Sequence, residues 1–167
     1  MQWSDQGTEG RRRHTVIPRT LCFVRHQDHL LLLRGAPDKR LWAGQLNGIG
    51  GHIEPGETPL EGAYRELREE AGVIPVELGL RAVIHISSDH HEPGVLLMVY
   101  LGSAPSRSVC AGPEGEPTWY DLKRLPWSEM VQDLPSLLPL LLDDTRPGII
   151  YGEYHAAPDG TMQLRFA

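Results

Sequence analysis

Glu57, Arg65, Glu66, Glu69 and Glu70 follow a double glycine, Gly50-Gly51, at spacings that suit a helix carrying oxygen ligands. At about 100° per residue, Glu66 and Glu70 lie on one sector and Glu69 a little further round. Carboxylates on neighbouring turns repel one another. Glu69 and Glu70 also fall in the last turn, where the helix dipole is already negative. Each such placement costs a few tenths of a kcal/mol, up to about 1. Gly62, on the same sector, adds about 1 kcal/mol relative to alanine. Arg65 and Arg68 offset part of the repulsion. A hard dication such as Mg²⁺, or Mn²⁺ in its place, would reverse its sign by coordinating the oxygens. The chemistry this pattern suits is the holding of a divalent cation against a diphosphate.

The helix that must position these acids has readable ends. Thr58 suits the N-cap, Pro59 the first helical position, and Glu61 completes a capping box. Gly72 suits a left-handed residue just past the last turn. Leu60, Ala63, Tyr64, Leu67 and Ala71 form an apolar stripe at three- and four-residue steps.

Residues 51 to 73 resemble the Nudix box, G-x5-E-x7-R-E-U-x-E-E-x-G-U with U aliphatic. Gly51, Glu57, Arg65, Glu66, Leu67, Glu69, Glu70, Gly72 and Val73 meet every defined position. The resemblance implies hydrolysis of a nucleoside diphosphate linked to a further group, with Mg²⁺ as cofactor and Mn²⁺ as a substitute. It implies Glu66, Glu69 and Glu70 as metal ligands, joined by the Gly50 carbonyl and a downstream acid. Glu114 is the candidate for that acid, with Glu116 as the nearby alternative. Arg65 is expected to brace Glu69, four residues on. Glu57 is expected to lock the loop or to support the metal indirectly, and Glu69 or the downstream acid to serve as general base.

Leu46-Asn47-Gly48-Ile49-Gly50-Gly51 is similar to the equivalent stretch in family members that destroy oxidised purine nucleoside triphosphates. The likeness extends through Trp119-Tyr120-Asp121-Leu122 and Leu125 to Met130. It implies a nucleotide pocket with Asn47 and Asp133 on the base and Gly51 close to the substrate. In the animal enzymes of that type a Met-Trp-Pro-Asp-Asp run supplies a stacking ring and paired carboxylates. Here the run is Met130-Val131-Gln132-Asp133-Leu134, so the ring and one aspartate are gone. Trp42, Tyr120 and Trp127 are candidate replacement rings. A complete box without an attached DNA-binding domain argues for a hydrolase over a non-catalytic nucleotide sensor.

The elements around the box read as mostly strands. Val16 to Arg25 and His29 to Arg34 suit two strands about a Gln27-Asp28 turn. Trp42 to Ile49 reads as extended, Val76 to Ser87 and Val95 to Leu101 as longer strands, and Trp119 to Leu122 as a short one. Pro105 to Pro117 reads as a Gly/Pro-rich loop. Pro135 to Asp144 suits a helix, and Ile149 to His155 with Met162 to Phe166 a hairpin across Pro158-Asp159-Gly160. The pattern predicts an α/β fold, and the resemblance implies the Nudix α/β/α sandwich with a mixed β-sheet between helices. Residues 1–14 read as a polar, flexible lead-in and 15–167 as one domain.

With 40% hydrophobic and 23% charged residues the chain is globular, and its net charge of −6 gives no broad footprint for DNA or RNA. The expected partner is a small-molecule nucleotide, with no nucleic acid and no membrane; the oligomeric state is left open. No apolar run approaches a membrane span or a signal-peptide core. Cys22 and Cys110 read as two free thiols in a reducing cytosol, with a disulfide between them the open alternative, and the expected location is cytoplasmic. His90-His91 beside Asp89 reads as a surface loop, and Arg11 to Arg13 as a solvated tail.

Overall fold

The apolar runs Leu21–Val24 and Leu30–Leu33 are buried on both faces, because helices cover the sheet from opposite sides. The structure is a computed structural model that describes residues 14–39, 41–87, 93–156 and 162–167. Strand β1 spans Val16–His26, β2 His29–Gly35 and β3 Leu46–Asn47. Helix α1 (Pro59–Ala71) follows, then β4 (Glu77–Ser87), β5 (Gly94–Ser103) and β6 (Gly115–Asp121). Two short 3₁₀ turns lead to α2 (Leu134–Leu141), and β7 (Ile150–Ala156) and β8 (Met162–Phe166) close the chain.

The sheet runs β3-β2-β1-β5-β4-β7-β8, with β6 paired to the other edge of β2. It is mixed: β1 runs parallel to β5, and β4 parallel to β7, while β4 and β5 are antiparallel. Alternation along β1 sends Cys22 and Val24 to one face and Leu21 and Phe23 to the other. Ala63, Leu67 and Ala71 of α1 pack on the first face. Leu134, Leu137, Leu138 and Leu141 of α2 pack on the second. This is the expected α/β/α sandwich.

The site depends on a splay between β1 and β2. They pair only over Val24↔Leu31, Arg25↔Leu30 and His26↔His29, then diverge. Residues 46–53 enter the gap. Leu46 and Asn47 pair with β2, while Ile49 and His52 bridge to β1. Here Gly48 and Gly50 are required: a Cβ on either would lie 2.8 and 2.2 Å from its nearest β1 atom, respectively.

Several expected boundaries move. Trp42 to Ile49 is extended only at Leu46–Asn47; Trp42 itself turns at φ 58°. The Gly/Pro-rich loop ends earlier than expected, because β6 begins at Gly115 and continues past Trp119 to Asp121. Pro117 hid it, yet Pro117 is tolerated because β6 is an edge strand pairing only with β2. Helix α2 is shorter than predicted, ending at Leu141 with Leu142 as C-cap. Arg11 to Arg13, Asp89 to His91 and Pro158 to Gly160 lie outside the described residues.

Candidate functional site

The helix bearing the acids is built as its caps predict. The Thr58 hydroxyl accepts from the Glu61 N–H at 3.3 Å, and Glu61 accepts from the Thr58 N–H at 2.7 Å. Gly72 caps the far end in the left-handed conformation at φ 67°. Gly62 has a packing reason: a Cβ there would lie 2.9 Å from Glu57 Oε1. The glycine that weakens the helix lets Glu57 fold down onto it.

Arg65 is the hub of the loop–helix junction. Its Nη2 donates to Glu57 Oε1 at 2.8 Å and to the His52 carbonyl at 3.0 Å, and its Nε donates to Glu57 Oε2 at 3.1 Å. Its Nη1 donates to Glu66 Oε1 at 2.9 Å and to Glu69 Oε2 at 3.2 Å. The Glu54 N–H also donates to Glu57, at 2.7 Å. The guanidinium, foremost, and that N–H pull the Glu57 carboxyl down to about 2. Arg65 is raised by the same partner, so the bridge is charged on both sides at any ordinary pH.

The helix acids differ in environment. Glu69 is largely exposed, Glu66 is 8% exposed and Glu70 3%. Glu70 Oε2 is buried without a hydrogen-bond partner. Burial first, and the Glu114 carboxylate next, push Glu70 up to about 8. Lys39 donates to Glu114 Oε2 at 2.6 Å and holds that carboxyl below its usual range. The pair therefore favours the proton on Glu70 and the charge on Glu114. Cys22 lies beneath: burial, then Glu66 and Glu70, raise its thiol so far that it stays protonated.

This donor set is the hard-oxygen chemistry that magnesium takes. An orphaned, buried carboxylate oxygen at Glu70 fits a cation. So does the Gly50 carbonyl. Its neighbours Ile49 and Gly51 accept from the Cys22 and Thr20 N–H groups, while Gly50 accepts no bond among the described residues. Glu66, Glu70, Glu114 and Gly50 would hold the ion. Among the described residues, no three acids, histidines or cysteines already converge as a cage. Arg65 competes for two of the helix acids, Glu66 and Glu69.

A cavity of about 300 Å³ opens beside these groups. Glu70, Glu114, Gly50 and Lys39 line it, as do Asn47 and Asp133. Its wall touches β2, β3, β1, β5, β4 and β7, so it runs across most of the sheet. The acids lie toward β2, and Asp133 lies with Tyr154 toward β7. Gly51 does not line the cavity; it backs onto Glu66, and a Cβ there would stand 2.2 Å from Glu66 Oε1. Glu116 pairs with Arg34 on β6 and is also off the cavity. Of the three candidate rings, Trp42 lines the cavity and Tyr120 and Trp127 do not.

Lys39, Arg19, Thr20 and Tyr154 were not singled out by the sequence. Lys39 sits in a loop and Tyr154 some 84 residues beyond Glu70 (154 − 70), so no local spacing joins them. The alternation of β1 could have indicated Thr20, a polar residue before a buried apolar run.

A NUDIX domain profile matches residues 16–141. The mouse oxidized purine nucleoside triphosphate hydrolase is 35% identical over 129 residues, covering 74% of this chain and 78% of its own. The zebrafish protein of the same name is 31% identical, covering 76% and 80%. A MutT protein from Bacillus halodurans superimposes with a TM-score of 0.75 at 22% identity, over 90% of this chain and 97% of its own.

Proposed function

This chain belongs to the Nudix hydrolase family, and from that premise we propose a magnesium-dependent pyrophosphohydrolase of (deoxy)nucleoside triphosphates, oxidised purines of the 8-oxo-dGTP type among them. The observation that carries the proposal is Glu70: a nearly buried acid with an orphaned oxygen, beside Glu114, on the wall of a nucleotide-sized cavity. Relatives named for oxidised purine nucleoside triphosphates support the substrate class. So does the size. About 300 Å³ lies at the lower end of small-molecule pockets and suits one nucleoside.

Bound magnesium would supply Lewis-acid neutralisation of the phosphoryl oxygens. The chain's own residues supply the rest. Glu66, Glu70 and Glu114 present the ligand oxygens. Lys39 and Arg19, both on the cavity wall, offer positive charge to the phosphate chain. Glu69 is the general-base candidate, because it is the most exposed of the three helix acids and is tethered by one 3.2 Å bond from Arg65. Glu57 and Arg65 position the loop. Asn47 and Asp133 face the base.

The test is a panel of nucleoside triphosphates, 8-oxo-dGTP, nucleotide sugars, ADP-ribose and dinucleoside polyphosphates, assayed with Mg²⁺ and with Mn²⁺. Nucleoside monophosphate plus pyrophosphate as the products of a triphosphate is the expected result. Turnover confined to sugars, ADP-ribose or dinucleoside substrates would overturn it.

A further inference from the structure

Tyr154 carries a buried hydroxyl beside the Asp133 carboxylate, on the wall of the cavity. It sits on β7, beyond the residues matched by the family profile, and is 1% exposed. Its ring packs edge-on against Phe166 at 5.9 Å, so its position is fixed. Its hydroxyl is buried and makes no well-formed hydrogen bond; the Asp133 carboxylate beside it is the one group that acts on it as a partner among the described residues. A buried phenol with only an imperfect bond recovers part of its desolvation cost, and in a native fold such a group calls for an explanation. The residue also lines the cavity, next to Asp133.

Asp133 stands where the related oxidised-purine enzymes carry the first of two aspartates; the second position here is Leu134. Leu134 is fully buried in the core under α2 and has no polar atom to offer. We propose that Tyr154 is a base-reading residue, whose hydroxyl donates to an acceptor on a purine edge while Asp133 accepts from the neighbouring ring N–H. The inference rests on the nucleotide reading above and deepens it. It replaces the missing carboxylate with a group from a different element.

The replacement has a chemical consequence. A second carboxyl can donate only when protonated, whereas a phenol carries its proton throughout the physiological range. Burial, with Asp133 beside it, raises the Tyr154 hydroxyl further. Donor and acceptor are thus assigned to separate residues. Together they match an edge with a ring N–H beside a carbonyl, as in a 6-oxopurine.

The test is binding by calorimetry, independent of turnover, with GMP and tripolyphosphate as probes on wild type and Tyr154→Phe. The phenylalanine keeps the ring and its packing and removes one oxygen. GMP affinity is expected to fall about threefold to tenfold, the range for one neutral hydrogen bond. Tripolyphosphate affinity and melting temperature are expected to stay unchanged. An equal loss for both probes would show a structural role and overturn the proposal. So would undiminished GMP affinity in the variant, or no GMP binding to wild type. Selective GMP binding in a protein that turns over no triphosphate would support the base-reading role while defeating the catalytic reading, so the two fail separately.

Discussion

Replacing Glu70 by glutamine is expected to destroy turnover and at the same time raise the stability of the metal-free protein. The shape is kept and the charge removed. Glu70 is pushed up to about 8 by burial and by the neighbouring carboxylates, Glu114 first, from an ordinary value of 4.5. An acid raised on folding binds its proton more tightly in the native state. The fold is therefore unpenalised below 4.5 and loses stability as pH climbs towards 8. At about 1.4 kcal/mol per pH unit, the loss reaches on the order of 3 kcal/mol at neutral pH. Glu114 shares that repulsion, so the variant recovers about 1–3 kcal/mol. For a domain of this size that is roughly 3–10 °C. The gain should be nearly absent at pH 4, where Glu70 of the wild type is largely protonated folded and unfolded alike. Differential scanning calorimetry in EDTA at pH 4 and pH 7.5 reads the stability arm. Magnesium-dependent pyrophosphate release reads the other, with an expected loss above about 100-fold, since even outer-sphere changes cost 10- to 100-fold. Added Mg²⁺ should raise the melting point of wild type and leave the variant unmoved. Wild-type-like turnover in the variant would refute the ligand role. Lost turnover with a lowered melting point at pH 7.5 would show that Glu70 serves the fold instead.

Three further substitutions probe the surrounding shell. Arg65→Lys keeps the charge but cannot reach Glu57, Glu66, Glu69 and the His52 carbonyl together. It should weaken apparent Mg²⁺ affinity about 10- to 100-fold, measured by metal titration of activity. Gly51→Ala drives a methyl into Glu66, whose Oε1 would stand 2.2 Å away. Activity should fall at least tenfold while circular dichroism stays native; full activity would show that Glu66 is free to move. Asp133→Asn should raise KM for purine triphosphates about tenfold with kcat nearly unchanged, because on the proposed reading it alters a group at the base and not at the phosphates. A fall in kcat at constant KM would place Asp133 elsewhere in the reaction.

The acid-bearing helix was legible because every force that ends and orients it is local. Thr58, Pro59, Glu61 and Gly72 act within a few residues, and the structure shows the capping box and the left-handed cap they predict. The sandwich was legible in outline because period-two and helical patterns mark what must be buried. Strand β6 was read short because Gly115 and Pro117 resemble loop chemistry; pairing with β2 overrides that local preference. Trp42 to Gln45 was read as extended, but the chain must turn there so that the next residues can enter the gap beside β1.

By itself, then, the sequence determined the carboxylate array and its helix, since ligand spacing on one helix is a property of contiguous residues. Tertiary structure alone decided which acids are buried, that burial and Glu114 raise Glu70, and that Lys39 secures Glu114. It also brought Tyr154 of β7 to the cavity wall with Asp133 and Asn47. Burial and through-space charge are sums over neighbours from distant parts of the chain. Only the closed sheet, with residues 46–53 wedged between β1 and β2, sets who those neighbours are.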